Sequence, residues 1–412
     1  MNGTTVSIAT SEGNAFSGYL AIPRSGSGPG LILLQEIFGV NQHIRELADL
    51  YADEGYVVLA PDLFWRIQPG IELGYSEGDV QKARAYRQRF DVDRSVLDIG
   101  AAIHALRANP KCNGKVGAIG FCLGGKLAYL TAARQPIDAA VSYYGVGIEQ
   151  NLDEASAIRC PIALHFGSED KAVSAAARAS IKKALAEKDN AEIYVYEGAG
   201  HAFNNRLRDA FHRPSASLAH SRTISLLRRV IGPRYDLDAL WGKHLEGEFV
   251  TCDADATIAT MTSDAYVNHV PTMIGGHGQS QLHRYYKYHF IPENQGSALI
   301  PVSRTIGGDR LVDEFVACFK HDKQNDTLAP GVKPTGREVR LPMVAIVQFR
   351  GDKLHKEHLY WDQASLLAQL GILDADKLPI TGAEAADRVL DEDAPLNTLR
   401  AEIWWKKSEG KS

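Results

Sequence analysis

The sequence has few cysteines, no long apolar segment and no surplus of positive charge. Its five cysteines lie far apart and show neither Cys-x-x-Cys nor His-rich spacing, so neither a disulfide framework nor a zinc site is expected. No stretch of about 18 apolar residues occurs, and the first ten residues lack the basic and apolar segments of a secretory leader. We therefore expect a soluble, cytoplasmic protein.

The charge balance excludes two classes of partner and marks a boundary. The formal net charge is -5, and binding to nucleic acid or to an anionic membrane needs clustered Lys and Arg, so neither partner is expected. Residues 234–412 contain 20 Lys and Arg against 26 Asp and Glu, and they carry the acidic surplus. The helix-breaking pair Gly232-Pro233 immediately precedes them. We predict a domain boundary at this point.

Residues 1–232 are predicted to form a doubly wound α/β domain. Short β-branched segments alternate with segments of helical period, which is typical of a parallel sheet covered by helices on both faces. Strands are predicted at 31–34, 57–60, 116–120, 140–144, 162–166 and 193–196, and helices at 42–54, 79–108, 124–134, 175–187 and 215–230. A ligand is expected at the carboxyl ends of these strands.

Residues 236–375 are predicted to form an α+β domain, and residues 376–412 a C-terminal extension. Helical segments precede a series of long strand-like segments, which indicates helices packed on a curved antiparallel sheet. The helices are predicted at 240–249 and 254–261, the strands at 297–306, 311–319, 341–350 and 353–360, and a long loop at 320–338. Thr381 and Glu384 have the spacing of a capping box, which predicts a short helix in the extension.

The most informative segment is GFCLGG at 120–125, between a predicted strand and a predicted helix. This is the pattern of a nucleophile elbow with Cys122 in place of serine, and glycine on both sides relieves crowding at the strained turn. The helix N-terminus favours a thiolate, and the Leu123 N–H can point at a substrate oxyanion. The alternative is a buried, inert cysteine in a glycine-rich turn.

Two later loops carry the partners that such a nucleophile needs. Asp170 and His201 each follow a predicted strand, in the chain order nucleophile, acid, base of α/β-hydrolases. His201 would take the thiol proton, and Asp170 would fix the tautomer of the imidazole. The alternatives are a turn-forming aspartate and a solvated histidine.

The loop after the predicted strand 31–34 contains Glu36 and Ile37. In this architecture that loop supplies a second oxyanion N–H, which would belong to Ile37. Glu36 would lie beside Cys122, where a carboxyl group can carry a proton or influence thiol ionisation. The alternative for Glu36 is a salt bridge within the loop.

Five motifs in order resemble the dienelactone hydrolase (carboxymethylenebutenolidase) family over residues 1–231. They are QEIFGVN at 35–41, APDLF at 60–64, GKVGAIGFCLGGKLA at 114–128, YYGVG at 143–147 and GHAF at 200–203. The resemblance implies Cys122, His201 and Asp170 as catalytic triad, Ile37 and Leu123 as oxyanion donors, and Glu36 as neighbouring carboxylate. It implies a small-molecule lactone or ester as substrate, with neither a metal nor an organic cofactor.

The positions that bind the substrate carboxylate depart from the family pattern. Members that act on dienelactone use two arginines, and the corresponding positions here read Lys82 and Asn205. Lysine supplies charge without the bidentate fork of arginine, and asparagine supplies no charge. Arg206 lies next to the second position and can reach in from its loop, so we predict Lys82 and Arg206 as substrate-binding residues.

Residues 237–373 resemble the SnoaL-like polyketide cyclases of the nuclear transport factor 2-like superfamily. The motifs are WGKH at 241–244, PTMIGGHG at 271–278, SRT at 303–305, VDE at 312–314, PTGR at 334–337 and YWDQAS at 360–365. The resemblance implies an α+β cone around an apolar pocket. It gives the second function hypothesis, in which this domain binds a ligand, forms a homodimer or acts as an isomerase or cyclase beside a modest hydrolase half.

Candidate pocket groups in this domain are His269, His289, Glu314, Glu357 and Tyr360, because polar groups that face a cone interior are costly unless paired or used. The segment HKEH at 355–358 has the composition of a metal site. Alternation along a strand would put its first and third residues on one face and its last on the other, so we expect no metal site from this segment alone.

Overall fold

The computed structural model describes residues 3–399 and 406–411 of the chain. The chain divides into two compact units, Met1–Arg234 and Tyr235–Ser412, each with its own sheet and core. Among the helices in these described ranges, not one is long and apolar enough to cross a membrane.

The N-terminal unit contains an eight-stranded sheet in the order β1-β2-β4-β3-β5-β6-β7-β8. Its strands are β1 (Thr4–Ala9), β2 (Ala15–Ala21), β3 (Gly28–Leu34), β4 (Val57–Pro61), β5 (Cys112–Phe121), β6 (Ala139–Tyr143), β7 (Ile162–Gly167) and β8 (Ala191–Tyr196). The six predicted strands are confirmed and pair in parallel from β4 to β8. Strands β1 and β2, which pair antiparallel, were not predicted, because β1 is mostly exposed at the sheet edge and therefore has a weak apolar pattern.

Helices cover both faces of this sheet, as predicted. They are α1 (Gln42–Asp53), α2 (Glu77–Arg89), α3 (Val92–Ala108), α4 (Leu123–Arg134), α5 (Ala175–Ala184) and α6 (Arg213–Val230). Alternate residues of β3 enter the two cores, Ile32 and Leu34 on one face and Leu31 and Leu33 on the other. The single helix predicted at 79–108 was wrong. Phe90 is extended there, and the Asp91 carboxylate accepts from the Arg94 N–H to start α3.

The turn between β5 and α4 holds Cys122 in a strained conformation, with φ 55° and ψ -111°. A Cβ at Gly120 would lie 1.8 Å from the Gly124 carbonyl oxygen, and a Cβ at Gly124 would lie 2.2 Å from the Leu34 carbonyl oxygen. The Gly124 N–H donates to the Gln35 carbonyl at 3.0 Å, which ties the turn to the end of β3. The predicted strained strand-to-helix turn is confirmed.

The C-terminal unit contains a six-stranded sheet in the order β10-β9-β14-β13-β12-β11. Its strands are β9 (Met261–His269), β10 (Ile274–His277), β11 (Ala298–Ile306), β12 (Arg310–Lys320), β13 (Glu338–Arg350) and β14 (Lys353–Trp361). The pairs are antiparallel, except that β14 pairs with β9 in parallel. The expectation of a wholly antiparallel sheet was therefore wrong, and so was the helix predicted to reach residue 261, where β9 begins.

The helices of this unit are short. They are α7 (Leu237–Leu245), α8 (Ala254–Ala259), α9 (Gln279–Tyr285), α10 (Ile291–Asn294), α11 (Gln363–Gln369) and α12 (Glu384–Leu390). α7 and α9 each continue into a π-helical turn, Glu246–Val250 and Tyr286–Phe290. The helix predicted in the extension is present as α12, but the capping box was wrong. Ala383 occupies the N-cap, and Glu384 accepts from the Gly382 N–H instead.

We predict that Gly124→Ala destabilises the chain by about 1–3 kcal/mol, because its Cβ meets backbone oxygens that cannot move independently. Gly78→Ala is the matched control, since that Cβ on α2 meets only the tip of the Ser76 side chain at 4.0 Å. Urea unfolding of both variants measures the difference. Equal stability of the two variants would contradict the packing described for the turn.

Candidate active site

Four loops at one edge of the N-terminal sheet bring the predicted site residues together. Cys122 follows β5, Asp170 follows β7, His201 follows β8 and Glu36 follows β3. Because these strands are parallel, their carboxyl ends meet at the same edge. The alternative of an inert buried cysteine does not fit Cys122, which is a free thiol and partly exposed.

His201 and Asp170 form a direct hydrogen bond. The His201 Nδ1 lies 2.8 Å from the Asp170 Oδ2, and the aspartate side chain is fully buried. The other carboxylate oxygen, Oδ1, accepts from the N–H groups of Ala172 and Val173 at 2.8 and 3.2 Å. These bonds fix the carboxylate as an acceptor, so Nδ1–H donates to it and Nε2 is the nitrogen left for Cys122.

The charges around His201 favour its protonated form. Burial of the ring lowers its pKa, but interactions with the Cys122 sulfur and the Asp170 carboxylate outweigh burial and raise the pKa to about 10. The Tyr144 ring packs edge-on at 4.9 Å between ring centroids. An imidazolium beside a cysteine stabilises the thiolate, which is the nucleophilic form of the residue.

Glu36 is a buried carboxyl group, 1% exposed. Its Oε2 accepts from the Asn205 Nδ2 at 3.2 Å and from the Tyr75 hydroxyl at 3.5 Å, while its Oε1 has no hydrogen-bond partner in the described part of the chain. Burial raises its pKa, and the charges of Arg208 and His201 oppose this shift. Glu36 is therefore held by side chains and not by the loop salt bridge considered from the sequence.

The two predicted oxyanion donors lie in adjoining segments. Leu123 is the first residue of α4, where backbone N–H groups have no helical acceptor. Ile37 belongs to the loop after β3, and the bond from Gly124 to Gln35 joins that loop to the start of α4. Their roles stay predictions.

Arg208 is a further cationic residue near Glu36, besides the predicted Lys82 and Arg206, whose substrate-binding roles stay predictions. Lys82 and Arg206 are exposed, and the Arg206 guanidinium lies over the Phe211 ring. Arg208 lies over Phe38 and Tyr75, with its guanidinium carbon 5.9 and 5.5 Å from the two ring centroids, and its charge acts on Glu36. Sequence reasoning missed Arg208 and the holding role of Asn205, because both depend on contacts between distant loops.

The C-terminal unit has an apolar pocket of about 480 Å³, its mouth included. His269 and Glu357 line it, as predicted. The prediction that His289 and Tyr360 line this pocket was wrong, because both side chains are exposed. The prediction for Glu314 was also wrong. Its Oε2 accepts from the Ser303 hydroxyl at 2.8 Å, and its neighbour on β12, Phe315, faces the pocket, so Glu314 lies on the opposite face of the strand.

The segment at 355–358 alternates as predicted: His355 and Glu357 are buried, and His358 is less so. His355 does not join Glu357, because its ring nitrogens contact Arg350 at 2.7 Å and Thr262 at 3.1 Å. Sequence reasoning missed two buried polar residues near Glu357, His244 and Glu248; both lie within 4.8 Å of it by their nearest ligand atoms. Their four-residue spacing at the end of a helix was the available signal.

The N-terminal unit is similar to known proteins. The profile of the dienelactone hydrolase family matches residues 16–231. A carboxymethylenebutenolidase of Pseudomonas putida is 37% identical over 224 residues, which cover 54% of this chain and 94% of the relative. Carboxymethylenebutenolidase 1 of Cupriavidus pinatubonensis is 34% identical over 229 residues, which cover 55% of this chain and 97% of the relative.

Two solved structures are also similar to part of this chain. The dienelactone hydrolase of Anabaena variabilis is 21% identical, with a TM-score of 0.43, and covers 56% of this chain and 99% of its own. The dienelactone hydrolase-like promiscuous phosphotriesterase P91 from metagenomic libraries is 22% identical, with a TM-score of 0.49. The match covers 56% of this chain and 100% of the P91 chain.

The family profile spans more than half of the chain and ends at residue 231. It does not reach the unit Tyr235–Ser412, so the SnoaL-like resemblance and the roles expected from it stay predictions. The sheet order and the turn at Cys122 agree with the α/β-hydrolase fold of the matched region. The chain belongs to the dienelactone hydrolase family, and its N-terminal unit is a hydrolase.

Proposed function

We propose that the N-terminal unit hydrolyses a lactone or a related carboxylic ester, with Cys122 as nucleophile, His201 as acid and base, and Asp170 as the residue that orients His201. The observation that carries this proposal is the 2.8 Å bond between His201 and Asp170, next to a cysteine held at a strained turn. The relatives described as carboxymethylenebutenolidases support the substrate class.

In the first step the Cys122 thiolate attacks the carbonyl carbon, and the carbonyl oxygen becomes an oxyanion. The N–H groups of Leu123 and Ile37 would stabilise this charge. The oxyanion then reforms the carbonyl, the C–O bond of the ester breaks, and His201 gives its proton to the leaving oxygen. The product of this step is a thioester on Cys122; from a lactone, the released hydroxyl group remains on the acyl chain.

In the second step water hydrolyses the thioester. Neutral His201 takes a proton from the water, the hydroxide attacks the thioester carbonyl, and the thiolate leaves. The carboxylic acid is released and the imidazolium–thiolate pair is restored. Asp170 accepts from Nδ1–H throughout, which keeps Nε2 directed to the reaction.

Glu36 and Arg208 would govern proton supply and substrate choice. Burial raises the pKa of Glu36, so this carboxyl group can carry a proton near the reacting atoms. Arg208 lies over two aromatic rings beside Glu36 and offers a planar guanidinium to a substrate carboxylate. A lactone that bears a carboxylate is therefore the substrate class that this site fits best.

The nucleophile is tested by substitution. Cys122→Ala and Cys122→Ser should each lower kcat/KM on an enol-lactone by at least ~10³-fold, because a thiolate cannot be replaced by a methyl or a hydroxyl group at a site arranged for sulfur. Cys112→Ala is the control and should keep wild-type turnover, since that cysteine lies at the start of β5. Full activity in the Cys122→Ala variant would eliminate the proposal.

The raised pKa of His201 predicts the pH dependence. The imidazolium–thiolate pair should lose its proton only near pH 10, so kcat/KM for p-nitrophenyl acetate should hold to about pH 9 and then fall. Asp170→Asn removes one of the two partners that raise the pKa of His201. This variant should lose rate, and the alkaline limb of its kcat/KM profile should move to lower pH. Asp153→Asn, an exposed carboxylate on a 3₁₀ turn, is the control. An unshifted alkaline limb in Asp170→Asn would contradict the assignment.

The role of Arg208 predicts a change in substrate preference. Arg208→Gln should raise the KM for a carboxylate-bearing enol-lactone by about 10-fold, the loss expected for one charge-assisted contact, and should leave a neutral ester nearly unaffected. Arg206→Gln is the matched control on the same loop. If the Arg206 variant shows the larger effect, the residue predicted from the sequence is the correct one.

A further inference from the structure

Three buried polar side chains of the C-terminal unit converge beside its pocket. They are His244 at the end of α7, Glu248 in the π-helical turn that follows, and Glu357 on β14. His244 Nε2 lies 3.0 Å from Glu248 Oε1 and 3.8 Å from Glu357 Oε2. All three residues are at most 5% exposed. We call them the His–Glu–Glu cluster.

The tautomer of His244 can be read from its neighbours. Its Nδ1 lies 2.7 Å from the Thr260 Oγ1, and that hydroxyl donates its proton to the Thr257 carbonyl at 2.6 Å. Thr260 is therefore an acceptor for Nδ1–H. When the ring is neutral its lone pair is therefore on Nε2, the atom that points at the two glutamates and that also lies 3.4 Å from the Tyr286 hydroxyl.

The cluster consequently joins three electron-pair donors in a buried space. Among the residues that the structure describes, Glu357 Oε2 finds no hydrogen-bond partner. Two adjacent buried carboxylates are unfavourable unless positive charge balances them. A divalent cation supplies that balance, because its charge equals the sum of two carboxylate charges.

The spacing fits a cation bound by one atom from each residue. Zinc binds histidine nitrogen and carboxylate oxygen at about 2.0–2.2 Å in tetrahedral geometry, which places neighbouring ligand atoms about 3.3–3.6 Å apart. The two nitrogen–oxygen distances, 3.0 and 3.8 Å, lie on either side of this range. The Thr260 contact also supplies the second hydrogen bond that orients a metal-binding histidine.

The pocket gives an independent indication of a ligand. His269 is 1% exposed and lines the same pocket as Glu248 and Glu357, and its Nε2 has no hydrogen-bond partner within residues 3–399 and 406–411. On the sheet, His269 of β9 is paired with Leu359 of β14, two residues from Glu357 on the same strand face. The remaining wall is mainly aromatic and aliphatic. A ligand at this point meets the His269 nitrogen, two carboxylates, the polar residues Asn294 and Ser297, and otherwise apolar side chains.

We propose that the His–Glu–Glu cluster binds one divalent transition-metal ion and that the open coordination position of this ion faces the apolar pocket. An imidazole ligand favours a transition metal over Mg²⁺ or Ca²⁺. The ligand class that fits is a small, largely apolar molecule with one oxygen donor for the metal. This inference is independent of the function proposed for the N-terminal unit.

The test measures Zn²⁺ binding to the full chain by isothermal titration calorimetry after chelator treatment. All proteins carry Cys122→Ala, so that Zn²⁺ cannot bind the Cys122–His201 pair. We expect about one equivalent of Zn²⁺, with Mg²⁺ giving no binding at the same concentrations. Glu357→Gln and Glu248→Gln, which keep side-chain shape, should each weaken binding by at least ~100-fold.

Two further variants serve as controls. Glu314→Gln removes a carboxylate of the same sheet outside the pocket, and His283→Gln removes a surface histidine paired with Asp255. Both should bind Zn²⁺ like the parent, and Zn²⁺ should raise the Tm of the parent and of both controls but not of the two cluster variants. Circular dichroism shows that each variant is folded. An absence of Zn²⁺ binding to the parent, or equal binding by a folded Glu357→Gln variant, would overturn the proposal.

Discussion

The hydrogen bond from the Gly124 N–H to the Gln35 carbonyl holds the N-terminal site together. It joins the start of α4 to the loop after β3, and it is possible only because residue 124 has no side chain to collide with the Leu34 oxygen. The same contact joins the two backbone segments predicted to bind an oxyanion, the loop after β3 and the first turn of α4. The glycines are thus a steric condition for the chemistry as well as for the turn.

Much of the N-terminal unit could be predicted from sequence because its signals are local. The turn at Cys122 and the positions of Asp170 and His201 after strands follow from short patterns along the chain. Arg208 and Asn205 could not be found this way. Their importance comes from contacts with Glu36 and Tyr75, which lie on other loops, and no spacing within one segment encodes such a contact.

The C-terminal unit shows where pattern reasoning fails. Glu357 and Glu314 were both predicted to face the interior because they are polar residues on strands, but on β12 the pocket face carries Phe315, Ala317 and Phe319, so Glu314 lies on the other face. The spacing of His244 and Glu248 indicated that these two residues share a helix face, but their contact with Glu357 on β14 joins distant segments, which no local pattern predicts.

The parallel pairing of β14 with β9 has a consequence for the order in which this unit forms. Among the described strands of the unit, β9 is the first and β14 the last. Their pairing therefore closes a long chain segment that contains all the strands between them, β10 to β13. Such closure loses chain entropy before the hydrogen bonds of the pair are gained. The wall that carries Glu357 is therefore absent until β14 joins the sheet. Binding in the pocket therefore reports completion of the six-stranded sheet, and a chain truncated before residue 353 would lack the β14 part of the pocket wall.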